Sequence, residues 1–228
     1  MNRNVLERPV VAVDVVALRA GGGRLEVLLV RRADKPFAGA EALPGVALRA
    51  DEPLESAAVR ALVDKAACTT PAAESLYMEQ LATFGALYRD PRGRTVSVAY
   101  LALAREGVLT PGRGRWAAAA GSANRALPFD HEAIVAAAES RLKGKLRYTN
   151  IARHLLPPEF RIEELQAVYE AVLGWKVNKT NFRSLMLQRG LIERVRILAE
   201  AVGRRGGRPP HLYRFTGDRV AAEDRDFL

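Results

Sequence analysis

Residues 162–190 read IEELQAVYEAVLGWKVNKTNFRSLMLQRG, two helical segments separated by a short break. Leu165, Val168, Tyr169, Val172 and Leu173 recur at i, i+3 and i+4 spacing, which predicts a helix over Ile162–Leu173. Gly174 occupies the position where a left-handed residue closes a helix. Asn178 opens a second helix that runs to Arg189 and stops at Gly190. On it, Phe182, Leu185 and Met186 share one face and pack toward the first helix. Lys179, Thr180, Arg183, Ser184 and Leu187 point mostly the other way, flanked by Asn181 and Gln188. That outward face contains no acidic residue.

Downstream, Leu191–Leu198 reads as a strand or hairpin arm, Gly203–Pro210 as a loop and Leu212–Phe215 as the returning strand. Helix, turn, helix and a basic hairpin form a winged helix-turn-helix pattern. A recognition face of donors and small or apolar groups suits a DNA major groove. Arg204, Arg205 and Arg208 alternate with glycines in the loop, where guanidiniums reach phosphates or a narrow minor groove. Double-stranded DNA is the expected partner through Lys179, Thr180, Asn181, Arg183, Ser184, Gln188, Arg204, Arg205 and Arg208.

Charge follows the same division. The chain has 228 residues and a net charge of +9. Lys176–Arg219 holds eleven Lys/Arg against three Asp/Glu, whereas residues 1–155 hold 22 against 16. Basic charge thus concentrates near the C-terminus, the footprint of a polyanion-binding module. With 49% hydrophobic and 27% charged residues a packed globular protein is expected. No apolar run approaches the ~20 residues that span a bilayer, and the N-terminus lacks a signal-peptide h-region, so a cytoplasmic protein is expected. Cys68 excludes an internal disulfide framework, and His131, His154 and His211 share no ligand spacing. No metal site and no cofactor are expected.

Upstream of Pro157-Pro158 the pattern is mixed. Val10–Leu18 and Leu25–Val30 read as strands around a Gly21-Gly-Gly-Arg turn. Leu54–Val63 is helical, and Thr95–Leu103 is a strand preceded by the turn Asp90-Pro-Arg-Gly. Trp116–Gly121 approaches another strand or a loop. Asp130 caps a helix over His131–Leu142, and Tyr148–Leu156 adds a helical turn. The Pro pair sets the domain boundary: an effector domain over residues 1–156, including a linker helix over about 130–156, and a DNA-binding domain over 157–228.

The stretch Leu43–Cys68 resembles the Nudix box, whose pattern is Gly, five residues, Glu, seven residues, Arg-Glu-apolar-x-Glu-Glu-x-Gly-apolar. Here the first Gly is Val46, the first Glu is Glu52 and the Arg is Arg60. The next Glu is Ala61, the Glu-Glu pair is Asp64-Lys65, and the last Gly is Ala67. Nudix hydrolysis needs Mg²⁺ held by hard oxygen ligands. A ladder reduced to Asp64, with Lys65 beside it, predicts a pocket without hydrolytic activity, so no catalytic residue is assigned. The order of this box, Leu127-Pro-Phe-Asp-His131, the segment Leu146–Pro157, Glu164–Gly174, Asn178–Arg183 and Gly207–Phe215 is similar to the Nudix-related transcriptional regulators (NrtR-like).

The resemblance implies an α+β chain, a Nudix-like α/β/α sandwich followed by a winged helix. It implies a homodimeric repressor of NAD biosynthesis and salvage genes, released from DNA by an NAD-derived metabolite such as ADP-ribose. Carried over by position, Arg31, Arg32, Phe37 and Glu52 line the effector pocket, with Arg89 and Arg94 adding phosphate contacts. The helix over His131–Leu142 and the Tyr148–Leu156 segment couple the two domains. The alternatives are a Mg-dependent hydrolase of ADP-ribose or a related nucleoside diphosphate, and a sugar-responsive regulator.

Overall fold

The computed structural model describes residues 8–119, 126–197 and 211–217. The chain forms two compact units. One comprises residues up to Leu18, Glu26–Leu103 and Val108–Ala138, and the other Arg19–Leu25, Ala104–Gly107 and the chain from Glu139 onward. The border falls between Ala138 and Glu139, upstream of Pro157-Pro158, although the helix through it is continuous.

The first unit is built on a mixed sheet. β1 (Val10–Gly21) and β2 (Arg24–Arg31) are neighbours in it, and β6 (Thr95–Leu103) lies parallel to β1 on the other side. β3 (Glu41–Ala42) and β7 (Arg115–Ala118) pair with β2, while β4 (Gly45–Ala47) runs antiparallel to the first half of β1. β5 (Tyr77–Phe84) forms the edge against β6. The β-branched run Val10–Leu18 becomes the buried centre: Val13, Val15, Val16, Ala17 and Leu18 are fully enclosed. Because both faces are covered, apolar residues run on without alternation.

β5 has no counterpart among the predicted strands. It is largely exposed, and its register slips between Gln80 and Ala82. A bulge breaks the two-residue alternation by which an edge strand is read.

Helix α1 (Leu54–Ala66) extends three residues beyond the predicted end, and α2 (Thr70–Glu74) follows it. The inward face of α1 is made of small side chains, Ala57, Ala58, Ala61 and Ala66, around Leu62. The helix ends at Ala67 with φ 52° and ψ 38°, left-handed backbone at the position where the Nudix box has glycine. A Cβ in that conformation costs about 1 kcal/mol. Ala67→Gly is therefore expected to raise the unfolding free energy of the first unit by about 1 kcal/mol in chemical denaturation; an unchanged or lower midpoint refutes this reading of the cap.

Helix α3 (His131–Leu146) runs four residues past its predicted end and is followed by a 3-10 turn, Ile151–Leu155. In the second unit, α4 (Ile162–Leu173) buries Leu165, Val168, Tyr169, Val172 and Leu173, the stripe expected of it. Gly174 closes it with φ 86°. α5 (Lys179–Gln188) is capped by Asn178, whose side chain accepts from Asn181 N–H at 3.1 Å. Tyr169 and Phe182 meet edge to face at 5.0 Å and join the two helices. A three-stranded sheet completes the unit, in the order β8 (Phe160–Arg161), β10 (His211–Phe215), β9 (Ile192–Ile197). Phe160 packs on Phe215 at 5.2 Å.

Candidate functional site

The outward face of α5 is exposed as the periodicity predicts. Phe182 and Met186 are buried and Leu185 half-buried, whereas Lys179, Thr180, Asn181, Arg183, Ser184 and Gln188 are all exposed. Lys179 makes an ion pair with Glu163 of α4 at 2.5 Å, which holds that carboxyl below its usual range. The turn before α5 is stapled by Glu170. Its carboxylate accepts from Lys176 Nζ (2.6 Å), Gln166 Nε2 (2.9 Å) and Val177 N–H (3.1 Å). These bonds, Lys176 foremost, lower its pKa to about 2. Arg204, Arg205 and Arg208 lie outside the described residues.

In the first unit a buried polar network lies beside the box loop. Asp14, in the middle of β1, accepts from Ser97 Oγ at 2.6 Å and pairs with Arg89 at 3.4 Å. Arg89 also grips both oxygens of Asp130, at 2.8 and 2.5 Å. His131 Nδ1 accepts from Leu43 N–H at 3.0 Å, which leaves the proton on Nε2, 3.7 Å from Asp14 Oδ1. Asp130 therefore starts α3 with its carbonyl, bonded by Ile134 N–H at 3.1 Å, and spends its carboxylate on Arg89. Residues 89, 130 and 131 tie the start of α3 to the box loop and to β1.

Burial is the main force lowering the pKa of His131. Burial first, then Arg153, pushes His154 down to about 4. Both folded values lie below the unfolded value near 6.5. The unfolded chain then binds more protons, so the stability these groups contribute is present above about pH 6.5 and is lost as pH falls toward 4. Glu52 and Glu170, also depressed, act only below about pH 4.5. Glu139, raised by burial, works in the opposite sense over its own titration. Melting temperature is expected to drop between about pH 6.5 and 5, and His154→Gln to flatten part of that drop. A slope identical in wild type and variant would refute the assignment.

The predicted effector residues are placed as follows. Arg31 Nε donates to Gly39 O and Arg32 Nε to Pro36 O, each at 2.9 Å, closing the loop that carries Phe37. Phe37 is 46% exposed and meets Phe129 edge to face at 5.1 Å. The Arg32 guanidinium lies over the Phe129 ring at 4.8 Å and that of Arg92 at 5.9 Å. Arg32, Phe37, Phe129 and Arg92 thus come together. Arg89 does not reach solvent: its side chain is 3% exposed and committed to two carboxylates. Arg94 donates to Gly85 O (2.9 Å) and Ala86 O (3.1 Å) and ties its own loop. Glu52 is clasped by Arg60 and by Arg49 N–H, and the Arg60 bonds lower its pKa to about 2.

Asp14, Arg92, Phe129 and His131 were absent from the predicted site. Asp14 carried a signal, a lone carboxylate inside an apolar strand, which has to be paired. Phe129 lay in the stretch Leu127–His131 and Arg92 in the turn Asp90-Pro-Arg-Gly, but neither pattern says that the two side chains meet, because that contact rests on loops brought together by the fold.

A Nudix helix would hold Mg²⁺, but the donors here do not fit it. Ala61 is buried against the core, Lys65 is a cation, and Asp64 faces Arg60 at 3.7 Å. Among the described residues no group of three or more Asp, Glu, His or Cys side chains is arranged to hold a metal ion. No helix among them is long and apolar enough to cross a membrane.

Residues 8–139 match the NUDIX domain family and residues 152–215 the NrtR DNA-binding winged helix domain. The ADPR responsive transcriptional repressor NtrR of Acinetobacter baylyi is 34% identical over 226 residues, spanning 96% of this chain and 85% of the relative. The crystal structure of Shewanella oneidensis NrtR complexed with a 27mer DNA superposes with a TM-score of 0.78 at 32% identity, covering 95% of this chain and 98% of that one. The NUDIX domain of the same protein complexed with ADP ribose gives a TM-score of 0.53 at 32% identity over 62% of this chain and 94% of that one. The chain accordingly belongs to the NrtR family of Nudix-related transcriptional regulators, a Nudix domain followed by a winged helix.

Proposed function

We propose that this chain is an ADP-ribose-responsive transcriptional repressor of NAD biosynthesis and salvage genes, acting as a homodimer. The observation that carries the reading is the α5 surface: six polar or cationic side chains are exposed on it while Phe182 and Met186 anchor its other side. Likeness along nearly the whole chain to a repressor responsive to ADP-ribose supports the effector. Replacing the box carboxylates by Ala61 and Lys65 favours binding without hydrolysis. A sensor that leaves its signal intact lets the ligand shift an equilibrium, provided it binds one state more tightly. α3 follows Asp130 along the chain and precedes the winged helix in sequence, and is the segment expected to carry that shift.

Fluorescence anisotropy with promoter DNA of NAD genes tests this. ADP-ribose is expected to weaken DNA binding by about 5- to 150-fold, the span of common coupling energies. Affinity insensitive to ADP-ribose overturns it. Incubation with ADP-ribose and Mg²⁺ is expected to leave the nucleotide whole; AMP release abolished in Glu52→Gln would establish a hydrolase instead.

A further inference from the structure

We propose that Glu163 attenuates DNA binding by occupying Lys179, so that a DNA phosphate has to displace a carboxylate of the protein itself. This role rests on the DNA-binding reading of α5 and not on the identity of the effector. Lys179 is the first residue of α5. A helix N-terminus carries positive partial charge, which favours anions nearby and opposes a cation. Lysine at that position does little for the helix, but it suits a phosphate, which the helix end and the ammonium attract together. In the free chain the anion that meets Lys179 is Glu163 of α4, at 2.5 Å.

Glu163, Gln166 and Glu170 stand at i, i+3 and i+7 and so share one stripe of α4. The two carboxylates on that stripe have different parts. Glu170 is 13% exposed and accepts from Lys176, Gln166 and Val177, so its loss would loosen the turn itself. Glu163 is 53% exposed and Lys179 56%. An ion pair so open to water adds little to the fold. α5 contributes no acidic residue of its own, so the negative charge met by its first lysine comes from α4. Phosphate contacts carry no sequence information. A competitor at Lys179 therefore restrains binding to every sequence, including the many non-specific sites among which a regulator finds its operator.

Fluorescence anisotropy of the full chain at low ionic strength, with a promoter duplex and a duplex of scrambled sequence, tests this in wild type, E163Q, K179Q and the double variant. E163Q is expected to tighten both duplexes by about 1.5- to 5-fold, the span of an exposed ion pair. K179Q is expected to weaken both. In the K179Q background the gain from E163Q is expected to be lost, because no ammonium is left to release. A gain at least as large in that background means that Glu163 only repels the polyanion, and overturns the proposal. Weaker binding in E163Q overturns it too, since the pair would then orient Lys179 toward DNA. Unchanged binding in either single variant does the same. E163D keeps the charge and shortens its reach, and is expected to show part of the gain. Wild-type affinity in E163D contradicts competition even if E163Q fails to fold. A wild-type chain that binds neither duplex removes the DNA-binding reading and this role with it, whereas the other adverse results leave that reading intact.

Discussion

Gly45→Ala is expected to destabilise the first unit by about 3–5 kcal/mol. Gly45 faces Asp14 in the β1–β4 register, and a Cβ built on it lies 2.0 Å from Asp14 Oδ1 and 3.2 Å from Cγ. The obstacle is not a flexible surface side chain. Asp14 is buried and held by Ser97 and Arg89, with His131 on its other oxygen. To admit a methyl group the carboxylate has to leave those partners, and Arg89 then keeps a buried charge only partly compensated. Disrupting a buried ion pair on one side costs about 3–5 kcal/mol. The loss corresponds to roughly 10 °C or more in melting temperature for a domain of this size. Circular dichroism melting checks it, and a midpoint within about 2 °C of wild type would mean the sheet yields there with ease.

The second large effect falls on DNA. Arg183→Ala is expected to weaken binding to the specific sequence by about tenfold to a hundredfold, the discrimination one good bidentate base contact supplies. Arg183 is exposed in the middle of α5, one residue from the buried Phe182, so its side chain is oriented by the packed core and does not form part of it. Melting temperature should therefore stay at the wild-type value. Anisotropy at several salt concentrations separates base reading from phosphate attraction, because the latter weakens for all sequences alike as salt rises. Wild-type affinity in this variant would show that another surface meets the DNA.

Much of this architecture is legible along the chain. The stripe from Leu165 to Leu173, the cap at Asn178, the stop at Gly174 and the alternation of buried and exposed residues in α5 all depend on neighbours within a few positions. Helix α1 was recognisable from its periodicity and the box loop from its resemblance to the Nudix pattern, against which Ala61, Lys65 and Ala67 could be counted as departures without coordinates. The same local reading failed at β5, where a bulge and an open face remove the periodic signal. The resemblance placed phosphate contacts on Arg89 and Arg94, and position in a family pattern identifies cations near a turn without saying that Arg89 points inward, between Asp14 and Asp130.

The sequence by itself determined the two-part order, the helix-turn-helix and the loss of a carboxylate ladder, because periodicity, caps and motif spacing are short-range properties of a chain. Only the tertiary structure decided which charges meet. Asp14, Arg89, Asp130 and His131 come from a strand, a loop and a helix start up to 117 positions apart, and Arg32, Arg92 and Phe129 from three separate loops. A buried charge takes whatever partner the fold brings within a few ångströms, and that partner has no fixed distance along the chain.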